Sequence, residues 1–183
     1  MNETESKPSS ELVAAIDRLT HRIDALAERL PGTVQAIAMP DTAAAYAFRA
    51  RRRQGALRVE AVTHVATIRL ADLREVDAQR DRLVRNTAQF VAGKPANNVL
   101  LTGARGTGKS SLIKACLHEF APRGLRLIEI DKTDLIDLPD IVDCVAGRPE
   151  RFVLYCDDMS FEDGDAGYKA LKSALDGSLA QTS

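Results

Sequence analysis

Residues 103–110 read GARGTGKS and carry the clearest chemistry in the chain. They match the pattern G-x-x-x-x-G-K-[ST], in which glycines let backbone N–H groups turn inward around a phosphate. The residues predicted to surround the phosphates are Gly103, Ala104, Arg105, Gly106, Thr107, Gly108, Lys109 and Ser110. The lysine can reach the β- and γ-phosphates, and the serine hydroxyl is a hard oxygen ligand for Mg²⁺. Ser111 joins the nucleotide-binding candidates, although an ordinary helix position is the simpler interpretation.

An apolar run leads into two acids, the first of which is Asp157, 48 positions beyond Lys109. The run FVLYC at residues 152–156 is typical of a strand covered on both faces, and it leads directly into Asp157 and Asp158. This arrangement resembles a Walker B element. Ligands of open α/β sheets bind at the carboxyl ends of the strands. Asp157 is therefore predicted to hold Mg²⁺ together with Ser110, directly or through a water molecule.

The elements that must position these residues alternate between helix and strand, which predicts an α/β fold with a parallel sheet. Apolar runs predict strands at residues 98–102, 126–130 and 152–156. Helical spacing predicts four helices, over residues 70–91, from about residue 109, over residues 135–145 and around residues 168–177. Pro139 is predicted to start or kink the third of these helices. The phosphate-binding pattern thus lies between a predicted strand and a predicted helix, which is the context it requires.

The N-terminal part is predicted to be a separate helical and basic region over residues 1–60, followed by a nucleotide-binding domain over residues 61–183. Leucines and isoleucines recur at spacings of three and four over residues 12–30, which predicts one helix with a narrow apolar seam. That helix either packs on its own domain or docks a protein partner, a second copy of the chain included.

Residues 51–53 are three consecutive arginines that follow an alanine-rich stretch. With Tyr46 and Phe48 beside it, this run could touch nucleic acid or the phosphates of a partner, but we expect a solvated helix face. The formal net charge of −1 argues against a chain coated with nucleic acid along its length.

The chain carries no recognisable targeting or membrane signal. The acidic N-terminus is followed by no apolar run, and no run approaches the roughly 20 apolar residues of a membrane span, so we expect no signal peptide and a cytoplasmic protein. The three cysteines, Cys116, Cys144 and Cys156, lack the spacing of a metal site and are expected to be buried, reduced thiols.

Residues 68–179, about 60% of the chain, resemble AAA+ ATPases. The passages that carry the resemblance include NNVLLTGARGTGKSSL, GLRLIEIDKTDLIDLPDIVD and RFVLYCDDMSFEDGDAGYKALKSALDGSL. The chain is similar to a bacterial family of ATP-binding proteins of undetermined role, which in turn resembles helicase loaders and transposition helper ATPases. The resemblance implies a three-layer P-loop NTPase fold, ATP and Mg²⁺ as ligands, and assembly into homo-oligomers.

The resemblance also assigns roles within the site. Asp158 stands where AAA+ proteins usually carry the glutamate that orients the attacking water, but its side chain is one methylene shorter. Glu162, in the following loop, is the rival base. Val76 is a candidate adenine contact, although Asp77 replaces the glycine that many AAA+ proteins have there.

The chain ends at Ser183, before the sensor strand, the arginine finger and the helical lid that the resemblance implies. We therefore expect an α/β sheet incomplete at its C-terminal side, with weak or no ATP hydrolysis in this chain alone. The leading hypothesis is an ATPase that couples nucleotide state to a partner or an assembly. The alternatives are a nucleotide-binding scaffold that does not hydrolyse and, less favoured, a P-loop small-molecule kinase.

Overall fold

The computed structural model describes residue 22, residues 37–159 and residues 166–180. Ile37–Ser183 forms one compact unit, and the fold below is that of its described residues. The predicted helix over residues 12–30 and the candidate base Glu162 lie outside the described residues, apart from residue 22. Among the described residues, no helix is both long and apolar enough to cross a membrane.

A four-stranded mixed sheet forms the centre of this unit, with the strand order β2-β1-β3-β4. The strands are β1 (Ala47–Arg53), β2 (Ala56–Ala61), β3 (Leu125–Ile130) and β4 (Arg151–Tyr155). β1 and β2 form an antiparallel hairpin, whereas β1, β3 and β4 run parallel. Gln54 and Gly55, both with positive φ (52° and 84°), form the two-residue hairpin turn that matches the twist of the strands.

Helices cover both faces of the sheet. They are α1 (Asp77–Val91), α2 (Lys109–Phe120), α3 (Leu138–Val145) and α4 (Ala166–Ala180), with 3₁₀ turns at Leu70–Asp72, Ala121–Arg123 and Lys132–Asp137. Pro139 lies in the first turn of α3, which confirms its predicted position at a helix start. The last helix extends to Ala180, so the predicted end near Gly177 is wrong by three residues.

Two apolar clusters hold the layers together, and β3 contributes to both because its side chains alternate between the faces. Leu125 and Leu127 pack with α1 and α2 in the first cluster. Ile128 and Ile130 pack with α3 in the second cluster. Burying each such side chain stabilises the fold by about 1.5–3 kcal/mol. The sheet therefore positions α2, which begins within the phosphate-binding pattern, on a fixed face.

The basic run at residues 51–53 lies in β1, so the predicted helix face is wrong. Phe48 and Ala50 alternate with arginines and are both 0% exposed in the second cluster. Burial of every second residue favours a strand here. This packing outweighs the helix propensity of the alanines, because tertiary contacts override local propensity. The hairpin shares one sheet with β3 and β4, so the predicted domain division at residue 60 cuts through this sheet.

Residues 98–102 do not form the predicted strand. Val99 and Leu100 are 49% and 76% exposed. A strand needs a neighbour for its backbone hydrogen bonds, and within the described part of the chain no strand pairs with this segment. The single helix predicted over residues 70–91 is also divided, because Glu75 adopts a φ of 59° and α1 begins only at Asp77.

The predicted burial of the thiols holds fully for Cys116 alone. Cys144 and Cys156 are half-buried, and all three cysteines are free. Cys156 directly follows β4, which is an edge strand among the described strands, so its thiol has less protein around it than a central strand would give.

Candidate functional site

The phosphate-binding pattern forms an irregular loop that runs directly into α2. Gly108 is the N-cap residue of this helix, with a φ of 84°, and no side chain of the described residues caps the helix. The first backbone N–H groups of a helix lack intrahelical acceptors and carry its positive dipole end. The loop and the twelve-residue α2 together therefore offer an anion-binding end of the kind that holds phosphates.

Two glycines of the loop are needed for different reasons. Gly108 adopts a left-handed conformation that strains any other L-residue, although a Cβ there would meet no atom within 4 Å. At Gly103, where φ is 141°, an added Cβ would lie 3.3 Å from Oγ1 of Thr107. The Thr107 hydroxyl donates to the carbonyl of Ala104 at 2.8 Å and so holds the loop narrow at this point.

The Lys109 side chain folds back over the loop. Its Nζ donates to the carbonyl oxygens of Gly103 and Ala104, each at 2.8 Å. These bonds place the ammonium group at the centre of the loop, where it contributes positive charge. When a phosphate binds there, its oxygens must replace one or both of these carbonyls as the hydrogen-bond acceptors of Lys109.

Ser110 and Asp157 are brought together, as the sequence predicts. Oγ of Ser110 donates to Oδ2 of Asp157 at 2.8 Å. This hydrogen bond is the largest cause of a lowered pKa at Asp157, with smaller contributions from Tyr155, the Asp158 N–H and Lys109. The carboxylate is therefore ionised at neutral pH. One hydroxyl and one carboxylate at this distance form a pair of hard oxygen donors suited to Mg²⁺.

Tyr155 is a site residue that the sequence analysis missed. Its phenol lies beside Ser110 and Asp157, and burial is the main cause that raises its pKa to about 12. The phenol therefore stays neutral. The signal was present in the sequence, because residues two apart on a strand point to the same face, and Tyr155 is two positions before Asp157.

Asp158 adopts an unusual backbone conformation next to this pair. Its φ is 49°, and its N–H donates to Oδ1 of Asp157 at 3.1 Å. Aspartate tolerates the left-handed region better than most residues, but the conformation still carries strain of the kind found at functional sites. Asp158 is exposed.

The other predicted residues lie on neighbouring elements. Val76 is the half-buried N-cap residue of α1, and α1 packs against α2. Arg105 is exposed within the loop, and Ser111 is half-buried in the first turn of α2.

Asn86 of α1 is a second residue that the sequence analysis missed. Its Oδ1 accepts from the N–H of Asn97 at 2.9 Å, and its Nδ2 donates to the carbonyl of Asn97 at 2.8 Å. This two-bond clamp ties the segment before the loop to α1. The sequence gives no local signal for it, because the two residues are 11 positions apart and both types are common in turns.

Comparison with known proteins places the chain at the level of a family. No curated protein and no solved structure matches it. A family model described as "Protein of unknown function (DUF815)" matches residues 42–183 and so includes the hairpin, the glycine-rich loop and the acidic pair. Because the match spans most of the chain, this protein belongs to the DUF815 family.

Proposed function

We propose that this protein binds ATP with Mg²⁺ in an AAA+-like P-loop site and hydrolyses it, coupling nucleotide state to a partner or an assembly. The observation that carries the proposal is the hydrogen bond between Ser110 and Asp157. The loop pattern and the acids after β4 come from distant parts of the sequence. Their contact gives the two motifs one shared site, as magnesium nucleotide chemistry requires.

Each residue has a role that follows from its chemistry. The backbone of residues 103–108 and the start of α2 surround the β-phosphate, and Lys109 contacts the β- and γ-phosphates. Ser110 and Asp157 hold Mg²⁺, which neutralises charge on the phosphate oxygens when bound. Tyr155 keeps the Asp157 carboxylate oriented toward Ser110. Asp158 orients water at the γ-phosphate, and Val76 contacts the base.

A nucleotide-binding scaffold without hydrolysis is the second candidate, and Asp158 is the observation that favours it. Its side chain is shorter than the glutamate of AAA+ proteins, and its backbone N–H is engaged by Asp157. A carboxylate that falls short of the water would leave binding intact and slow the chemical step, because general-base contributions depend on hydrogen-bond reach.

The decisive experiment compares Lys109→Ala with Lys114→Ala in a titration of fluorescent ATP, with Mg²⁺ and with a chelator. Lys114 is exposed on the same helix, so it controls for the loss of one positive charge. Removing the Lys109 contact should weaken binding by about tenfold or more, since charge-assisted hydrogen bonds contribute about 1.5–3 kcal/mol. The Lys114 variant should bind like the wild type.

Phosphate release from the same samples separates the two candidate functions. Release that is lost in Lys109→Ala and in Asp158→Ala supports an ATPase. Binding without release, in the presence of Mg²⁺, shows that this chain alone binds nucleotide without hydrolysing it. Equal ATP binding by the wild type and Lys109→Ala would show that the loop is not a nucleotide site.

A further inference from the structure

Four arginines share one face of the β1–β2 hairpin. The register places Arg51 directly opposite Arg58 and Arg49 directly opposite Glu60. Directly opposed residues point to the same side of an antiparallel pair, and alternate residues along a strand share a face. Arg53 therefore lies on this side as well. We call this surface, with Arg49, Arg51, Arg53, Arg58 and the single acid Glu60, the arginine face.

Two of these arginines are neutralised by neighbouring acids. Nη2 of Arg49 lies 2.7 Å from Glu129, and Nε of Arg53 lies 3.1 Å from Glu60. Arg51 and Arg58 are exposed, and neither forms an ion pair with any residue that the structure describes. Like charges directly opposite one another destabilise a sheet. An anion that binds between these two arginines would remove that repulsion.

The positive charge of Arg51 lowers the pKa of Asp131, but the Asp131 carboxylate already accepts other hydrogen bonds. It accepts hydrogen bonds from the N–H and the hydroxyl of Thr133, at 3.0 and 2.8 Å. These bonds lower its pKa more than Arg51 does. Arg51 therefore keeps its guanidinium group available to a ligand.

The arginine face lies on the same side and at the same end of the sheet as the candidate nucleotide site. Ala47 and Leu127, which share this side of β1 and β3, pack in one cluster with Leu112 of α2. The parallel strands β1, β3 and β4 end at one edge, where Asp157 follows β4. β1 is two strands from β4, so about 10 Å separates them.

We propose that the arginine face binds the phosphate backbone of nucleic acid, beside the nucleotide site. A phosphodiester presents two non-bridging oxygens, which the guanidinium forks of Arg51 and Arg58 can share. An open surface depression at the tip of the hairpin is lined by Arg53, Gln54, Arg58 and Glu60, so Arg58 faces solvent-accessible space. This binding is a property beyond the proposed ATP binding and hydrolysis.

The hairpin offers phosphate contacts and no stacking platform. Phe48 is 0% exposed and lies on the opposite face of β1, in the second cluster. Stacking of bases on aromatic rings is the main sequence-tolerant contact to bases in single strands. Without it, affinity depends on phosphate charge, so binding should be independent of sequence and strongly dependent on salt.

The test measures fluorescence anisotropy of labelled single-stranded and duplex oligonucleotides of equal length, in the absence of ATP, over a range of salt concentrations. The test variant is Arg51→Gln/Arg58→Gln. The matched control is Arg82→Gln/Arg85→Gln, which removes two exposed arginines from α1. The hairpin variant should bind about tenfold more weakly at low salt. Its salt slope should fall by about 0.7 for single strands or about 0.9 for duplex, since the one phosphate held between the two arginines is lost.

Several outcomes would overturn the proposal. These are absence of oligonucleotide binding by the wild type, equal losses in both double variants, and equally tight binding of poly-glutamate with the same dependence on Arg51 and Arg58. The last outcome would assign the face to an acidic protein. Lys109→Ala should bind oligonucleotide like the wild type, so a failed nucleotide site does not affect this result. Folding of each variant is checked by circular dichroism.

Discussion

Ser110 donates a hydrogen bond from its Oγ to Oδ2 of Asp157 at 2.8 Å, although the two residues are 47 positions apart. Ser110 lies in the first turn of α2, and Asp157 follows the last residues of β4. Both side chains therefore depend on the packing of α2 over the sheet. The geometry of a nucleotide site at this position therefore depends on the packing of the first apolar cluster.

Ser110→Ala should remove most of the magnesium dependence of ATP binding. The substitution deletes one proposed metal ligand and leaves Lys109 and the loop backbone unchanged. We expect the ratio of affinities with and without Mg²⁺ to fall by about tenfold, which corresponds to about 1.4 kcal/mol. Isothermal titration with and without a chelator measures this ratio. Ser111→Ala is the control, and an equal effect of both substitutions would contradict the assignment.

Asn86→Ala should loosen the segment that leads into the loop. It removes both hydrogen bonds to the backbone of Asn97, which are exposed and worth about 0.5–1.5 kcal/mol each. Hydrogen exchange over residues 97–102 should become faster. The free energy of global unfolding should fall by no more than the combined contribution of the two bonds. Asn86→Asp keeps the acceptor and loses the donor, so it should give an intermediate effect. Unchanged exchange in Asn86→Ala would show that the clamp does not hold the segment in solution.

The loop and the acidic pair could be predicted from the sequence because their signals are local. The glycines, Lys109 and Ser110 occupy fixed spacings, and Asp157 follows a continuous apolar run. Each of these patterns can be recognised from a short run of consecutive residues. Tyr155 also had a local signal, in its spacing of two from Asp157, but its importance depends on the approach of Ser110 from another element.

The hairpin and residues 98–102 could not be predicted, because their structures depend on distant partners. Phe48 and Ala50 make β1 a strand through contacts with α3 and the turn before it, which helix propensity does not contain. Conversely, residues 98–102 have the composition of a strand, and no described strand pairs with them. Apolar composition predicts where a strand can form, and the available partner decides whether it does.

Leu100→Ser should leave the stability of this chain nearly unchanged, because the Leu100 side chain is 76% exposed. We expect a change in the free energy of unfolding within about 0.5 kcal/mol, as for other exposed positions. Leu117→Ala is the contrasting variant, because Leu117 is 2% exposed in the first cluster and should lose about 2–5 kcal/mol. Urea unfolding measures both. A large loss in Leu100→Ser would mean that residues 98–102 are packed in solution.

Asp131→Ala should destabilise the protein more at neutral pH than in acid. The Asp131 carboxylate caps the 3₁₀ turn Lys132–Asp137 by accepting from Thr133, and such caps contribute about 0.5–2 kcal/mol. Hydrogen bonds from the Thr133 N–H and hydroxyl are the main causes that lower the pKa of Asp131 below 3.8 in the folded protein. Because the folded pKa is depressed, this stabilisation is fully present above the unfolded value and is lost as pH falls through the folded one.

The difference in unfolding free energy between wild type and Asp131→Ala should therefore shrink as pH falls below about 4. Asp131→Asn is the matched control, since its amide oxygen keeps a capping acceptor without a titrating charge. Its difference from Asp131→Ala should stay constant with pH, while its difference from wild type should disappear in acid. Urea unfolding at neutral and acidic pH measures all three proteins. A gap between wild type and Asp131→Ala that is the same at both pH values would mean that the ionised carboxylate does not cap this turn.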